Sequence, residues 1–175
     1  MGAWGWWCLV ASMTGATGPC SGRGGTAAAR GPNDFVRIAH GATAGTVRLA
    51  LRGAAERLER ESCQAVFSDF ADTSGRPVRE ALERTGYTAS NYLGQIFFYD
   101  GSRHRLCQTG RVIAVASPGS RVVQVCPEAF RNRYNRDSRY VEAILIHEAL
   151  HTLGLGENPP TSFEITTRVI SRCTR

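Results

Sequence analysis

The sequence predicts a single α+β domain in the order helix, strand, helix, strands, helix, helix. Three observations point there. Apolar residues recur at helical spacing in several separate windows. Short β-branched runs fall between those windows. Glycine or proline marks most of the junctions. The chain has 175 residues, of which 42% are hydrophobic. That is the length of one domain, with enough apolar side chains for one sizeable core.

Each element has its own warrant. Residues 1–20 contain an uncharged apolar run, Ala3 to Met13, too short to span a bilayer but of the length of a signal-peptide core. Residues 21–43 are rich in Gly and Ala and read as a flexible linker, leaving 44–175 as the folded domain. From Ala44 to Glu61, Val47, Leu51, Ala54, Ala55 and Leu58 share one helical face. "CQAVFSDF", 63–70, reads as a strand by its alternation. "RPVREALERTG", 76–86, reads as a second helix, with Pro77 in its first turn and Gly86 as its stop. "GQIFFYDG", 94–101, reads as a strand ending in a turn. "RVIAVA" and "RVVQVC" are two β-branched runs joined by "SPGS", a hairpin pattern. A helix follows from about Ser138 to Leu153, with Gly154 placed to stop it. A last helix runs through "TSFEITTRVISRC", with Thr161 and Glu164 at capping-box spacing.

Composition limits the functional classes. The net charge is +6 and every one of the 21 basic residues is arginine. The arginines are dispersed. The densest group, Arg131, Arg133, Arg136 and Arg139, reads as a solvated surface. No aromatic ladder or phosphate-binding glycine loop accompanies it, so nucleic acid is not an expected partner. Stable membrane insertion is not expected either, and a monomer is. His40 and His104 stand isolated and read as surface or loop histidines.

The cysteines agree with export. Beyond the apolar leader lie Cys63, Cys107, Cys126 and Cys173, with no zinc-finger spacing among them. Four such cysteines in a small domain suit two disulfides in an oxidising compartment. Three pairings are possible. Cys107–Cys126 is favoured because the two flank the hairpin, and Cys63–Cys173 then follows. The expected location is secreted or cell-envelope. Cys20 is a candidate lipid-attachment site, although Pro19 before it fits such a site poorly.

The chemistry concentrates in "HEALHTLGLGE", His147 to Glu157. His147 and His151 lie one helical turn apart on one face, the spacing at which two imidazoles bind one zinc ion. Glu148 sits about 100° round the helix, flanking that face. From there a carboxylate can take a proton from water and return it to a leaving amine. Ala143, Ile146, Leu150 and Leu153 form an apolar face on the other side from Glu148 and would anchor the helix. The HExxH pattern is complete. A catalytic zinc site takes a third protein ligand from elsewhere. The candidates are Glu157, in the loop after the helix, and Glu164, in the final helix. Pro159 and Pro160 would hold the loop that carries Glu157 stiff.

The stretch resembles the metzincin clan of zinc peptidases, whose motif is H-E-x-x-H-x-x-G-x-x-H, or Asp in the last place. His147, Glu148, His151 and Gly154 match it. Glu157 stands at the last position and is a departure. So is the lack of a methionine turn, since the only methionines are Met1 and Met13. Gluzincins take a glutamate from a later helix, which is the case for Glu164. "LIHEALHTLGLGENPPTSFEIT" is also similar to a group of small bacterial proteins with HExxH followed by a GLGENPP-type turn, regarded as secreted metallopeptidases. These resemblances imply a compact zincin-like domain: a small, twisted, mainly antiparallel sheet packed on the active-site helix, with N- and C-terminal helices.

The expectation is a small secreted zinc metallopeptidase. Its one zinc would be held by His147, His151 and Glu157, with Glu148 as general base and a peptide or protein as substrate. Two other classes remain open from sequence: a catalytically silent binding module stabilised by zinc and disulfides, and a zinc hydrolase of a non-peptide amide such as a cell-wall component.

Overall fold

The computed structural model describes residues 35–174. The leader at 1–20, with Cys20, and residues 21–34 of the expected linker lie outside the described residues. The architecture is mixed α+β. Strand β1 (Val36–Arg37) leads to α1 (Gly41–Leu58) and the short α2 (Glu61–Gln64). Then come α3 (Val78–Arg84), α4 (Ala89–Leu93), β2 (Phe97–Asp100) and α5 (Arg105–Gln108). The chain continues through β3 (Ala114–Ala116), β4 (Val122–Val125), α6 (Pro127–Arg136), α7 (Ser138–Thr152) and α8 (Ser162–Cys173).

Helix α7 is the axis of the molecule. Every side chain from Val141 to Thr152 is buried. Helices α1, α6 and α8 pack around it, and the sheet packs on it through β3. Val47, Ala50, Leu51, Ala54 and Leu58 turn the inner face of α1 toward this core, at the i, i+3, i+4, i+7 spacing of an amphipathic helix. Ala143, Ile146 and Leu150 are fully buried on α7. Truncating Leu150 to Ala would cost about 2–5 kcal/mol through lost burial and the cavity left behind. Gly154, at φ +107°, ends the helix in the left-handed region, its N–H bonded to the His151 carbonyl.

Three expectations are corrected. Residues 63–70 are not a strand. They form the end of α2 and a 3₁₀ turn, Ala65–Ser68. Cys63, Val66 and Phe67 are the buried positions, at i, i+3 and i+4, so the apolar period is helical and the alternation of side-chain type was misleading. The sheet is not mainly antiparallel. Its order is β1-β2-β4-β3, and only the β3–β4 pairing is antiparallel. Parallel pairs require a long crossover, and α1 to α4 supply it between β1 and β2. The ordered fold also begins before residue 44, because β1 and the start of α1 fall within the stretch read as linker. His40 is the N-cap of α1, its ring accepting from Thr43 N–H, and His104 caps α5 in the same way. Helices α4, α5 and α6 had no counterpart in the sequence reading.

The hairpin is present, with Val115 opposite Gln124. The cysteines pair as expected, Cys63 with Cys173 and Cys107 with Cys126. The first ties α2 to the end of α8. The second lies over the end of β2, where an added Cβ on Gly101 would meet Cys107 Sγ at 2.9 Å. Only glycine fits there. No helix among the described residues is long and apolar enough to cross a membrane.

Candidate metal centre

The last turn of α7 and the loop that follows bring three ligand-type side chains together. His147, His151 and Glu157 each offer a ligand atom, all within 4.8 Å of one another. The two histidines come from the i, i+4 spacing. Their Nε2 atoms are 2.8 Å apart. Glu157 comes from the turn opened by Gly154. Its Oε1 lies 3.3 Å from His151 Nε2 and 3.6 Å from His147 Nε2. Asn158 holds the loop at φ +65°, its N–H donated to the Pro160 carbonyl over 2.8 Å. Glu164 does not join this group. It completes the capping box of α8, accepting from Thr161 N–H and hydroxyl.

The far side of each ring is also engaged. His151 Nδ1 is 2.7 Å from the Leu155 carbonyl. A carbonyl only accepts, so the ring hydrogen sits on Nδ1 and Nε2 presents a bare lone pair. His147 Nδ1 is 3.0 Å from the Thr166 hydroxyl on α8. At 2.8 Å the two Nε2 atoms are bridged either by a hydrogen carried on His147 Nε2 or by a cation that both lone pairs face. With a carboxylate facing both, the donor set fits a zinc ion, for which imidazole and carboxylate are ordinary ligands. Burial holds the His147 pKa below the ordinary histidine value. His147 above all holds the Glu157 carboxyl down at about 2, with His151 and the Ser162 hydroxyl adding to it.

Glu148 is set apart electrostatically. It is 5% exposed, and its Oε2 has no hydrogen-bond partner. Burial pushes its pKa up to about 8, against the backbone N–H of Ala116, which points at the carboxylate from β3. Beside it, the SPGS turn is fastened to α7. Gly119 N–H, at φ +76°, donates to the His151 carbonyl over 2.8 Å. The opposite wall is held by Thr73 N–H, which donates to Gly154. Farther out, a surface groove of about 840 Å³ runs between Phe70–Asp72 and Pro159–Phe163, with Phe163 79% exposed.

Sequence reasoning placed His147, Glu148, His151 and Glu157. It missed Thr166, Ser162, Leu155 and Ala116. No periodicity or spacing marks a hydroxyl 19 residues after a histidine as its partner.

Comparison with known proteins returns no matching family model, no matching curated protein and no matching solved structure.

Proposed function

We propose that the protein is a zinc-dependent hydrolase that cleaves peptide bonds. The observation that carries this reading is the placement of Glu148, a buried carboxyl with a pKa near 8, next to the His147–His151–Glu157 cluster. Its unpaired oxygen is costly in a folded core, and perturbed carboxyls of this kind mark reactive sites. Bound zinc would supply Lewis acidity, polarising a substrate carbonyl and making water acidic near neutral pH. Opposite charge nearby lowers the pKa of a buried carboxyl. Glu148 would then titrate close to neutrality, where a general base works best. It would accept the proton of the attacking water and deliver it to the leaving amine.

Peptide is favoured over other amides by β3. It is the edge strand of the sheet, and among the described residues no strand pairs its outer side. The Ile113 carbonyl bonds inward to Cys126 N–H. By alternation, the polar backbone groups of Ala114 and Ala116 face outward, on the side of Glu148. An extended peptide can add to such an edge through main-chain hydrogen bonds. The two disulfides suit an oxidising, extracellular setting, and we place the enzyme there.

The test begins with the metal content of the full chain, folded under oxidising conditions, beside His151→Ala. About one zinc per chain, lost in the variant, supports the centre. No zinc, and no uptake on addition, would refute it. Cleavage of a mixed peptide library that stops in Glu148→Gln completes the case. Zinc bound without turnover of any peptide or cell-wall amide would make the protein a silent binding module.

A further inference from the structure

Helix α8 contributes no ligand to the centre, yet it touches two of the three. Thr166 Oγ1 lies 3.0 Å from His147 Nδ1. The Ser162 hydroxyl lies close enough to Glu157 to help lower its carboxyl pKa. Ser162 and Thr166 are four residues apart, so they lie on one face of α8, as His147 and His151 do on α7. The same inward side of α8 carries Ile165 and Val169, both fully buried, so the two hydroxyls lie beside the core strip that packs the helix down.

The far end of α8 is held without any help from the centre. Cys173 is bonded to Cys63. Its carbonyl accepts from Arg57 Nη1 over 3.0 Å and from Arg60 Nη2. Arg172 grips Asp69 through two bonds of 2.9 Å. Cations at a helix C-terminus also favour its dipole. The helix is therefore a fixed beam, anchored at one end and presenting two hydroxyls to the ligands at the other.

We propose that Thr166 and Ser162 are positioning residues that set the metal affinity of the centre, with Thr166 the dominant one. This rests on the reading of His147, His151 and Glu157 as ligands. The two histidines differ in their partners. The Leu155 carbonyl holds His151 in one tautomer. A hydroxyl both donates and accepts, so Thr166 holds the His147 ring in place whichever nitrogen carries the hydrogen. When Nε2 binds metal, the hydrogen must sit on Nδ1, and Thr166 Oγ1 accepts it. Without that acceptor the Nδ1–H is left without a partner in a buried position, and the ring is free to turn from the metal. Partners of ligand side chains typically account for about 10–100-fold in metal affinity.

The test uses the full chain as wild type, Thr166→Val, Thr166→Ser and Ser162→Ala. Valine keeps the shape of threonine and removes only the hydroxyl function. Zinc affinity is read by competition with a chromophoric chelator, and folding by the thermal midpoint of the metal-free protein. The expected result is a loss of about 10–100-fold in Thr166→Val, a smaller loss in Ser162→Ala, and recovery to within about 3-fold of wild type in Thr166→Ser. Nitrogen-15 spectra of the zinc-loaded protein should show a slowly exchanging His147 Nδ1–H in wild type and Thr166→Ser. It should exchange fast in Thr166→Val. A merely structural threonine would move the thermal midpoint and leave this signal alone. Should Thr166→Val fail to fold, Ser162→Ala and the spectrum of Thr166→Ser carry the decision. Wild type that binds zinc with Thr166→Val or Ser162→Ala equally tight overturns the positioning role alone. Wild type that binds no zinc overturns the metal centre itself.

Discussion

Helix α7 carries two buried glutamates, and they are treated in opposite ways. Glu142 is 8% exposed and Glu148 is 5% exposed. Glu142 faces α1, where Arg57 meets it with Nε at 2.7 Å and Nη2 at 2.6 Å. The fit is close enough that a Cβ on Gly53 would strike the carboxyl at 2.5 Å. Glu148 adjoins the His147–His151–Glu157 cluster, and among the described residues no cationic side chain forms an ion pair with it. One of its oxygens is unbonded, and its pKa is pushed up to about 8. Burial is nearly equal, so the difference lies in the partner. A paired carboxylate is a structural link between helices. An unpaired one holds its proton reversibly near neutral pH, which suits proton transfer.

Substitutions can break or sharpen this contrast. The largest effect is expected at Glu148. Glu148→Gln should retain zinc and lose about 10²–10⁴-fold in hydrolysis, measured as kcat/KM on a peptide substrate. Undiminished turnover would make Glu148 no more catalytic than Glu142. Next comes the structural pair. Arg57→Leu leaves Glu142 buried and alone and should cost about 3–5 kcal/mol in urea unfolding, while Arg57→Leu with Glu142→Leu recovers much of it. A single-variant cost near zero would mean that the pair is ornamental.

The pH dependence comes third. A carboxyl whose folded pKa is raised holds an extra proton in the native state, so its contribution to stability falls as pH rises between the unfolded and folded values. In the presence of chelator, Glu148→Gln should match wild type below pH 4.5. Its advantage should grow up to about pH 8 and level off above. A constant offset across pH would show that Glu148 ionises as freely folded as unfolded. The smallest effect separates the two rival ligands. Glu157→Gln should weaken zinc binding, whereas Glu164→Gln should leave it unchanged, because Glu164 is occupied with Thr161. Equal losses would return Glu164 to the ligand set.

Much of the site was readable in advance because it is local. His147, Glu148 and His151 share a helix whose phase follows from Ile146, Leu150 and the other apolar positions, and Gly154 announces the turn that returns Glu157. The capping box of Thr161 and Glu164 is a three-residue pattern and appeared where it was expected. The sheet was harder. Strand β1 is two residues long and carries no periodicity of its own. It exists because Val36 pairs with Phe98, a contact across some sixty residues. The 63–70 segment failed for a related reason. Its helical turn is held by Cys63 reaching Cys173 and by Val66 and Phe67 entering the core.

The sequence by itself determined the α+β composition, the HExxH face and the turn after it, and it favoured one of the three possible cysteine pairings. Each depends on residues close along the chain or on the small number of ways to pair four cysteines. Only the tertiary structure decided that Glu157 and not Glu164 meets the histidines, that Thr166 and Ser162 stand behind that cluster, and that Glu148 is buried without a cationic partner while Glu142 has Arg57. Those outcomes depend on which surfaces α1, α8 and β3 bring against α7. That packing is set by the summed burial of the whole core, and no short stretch of sequence contains it.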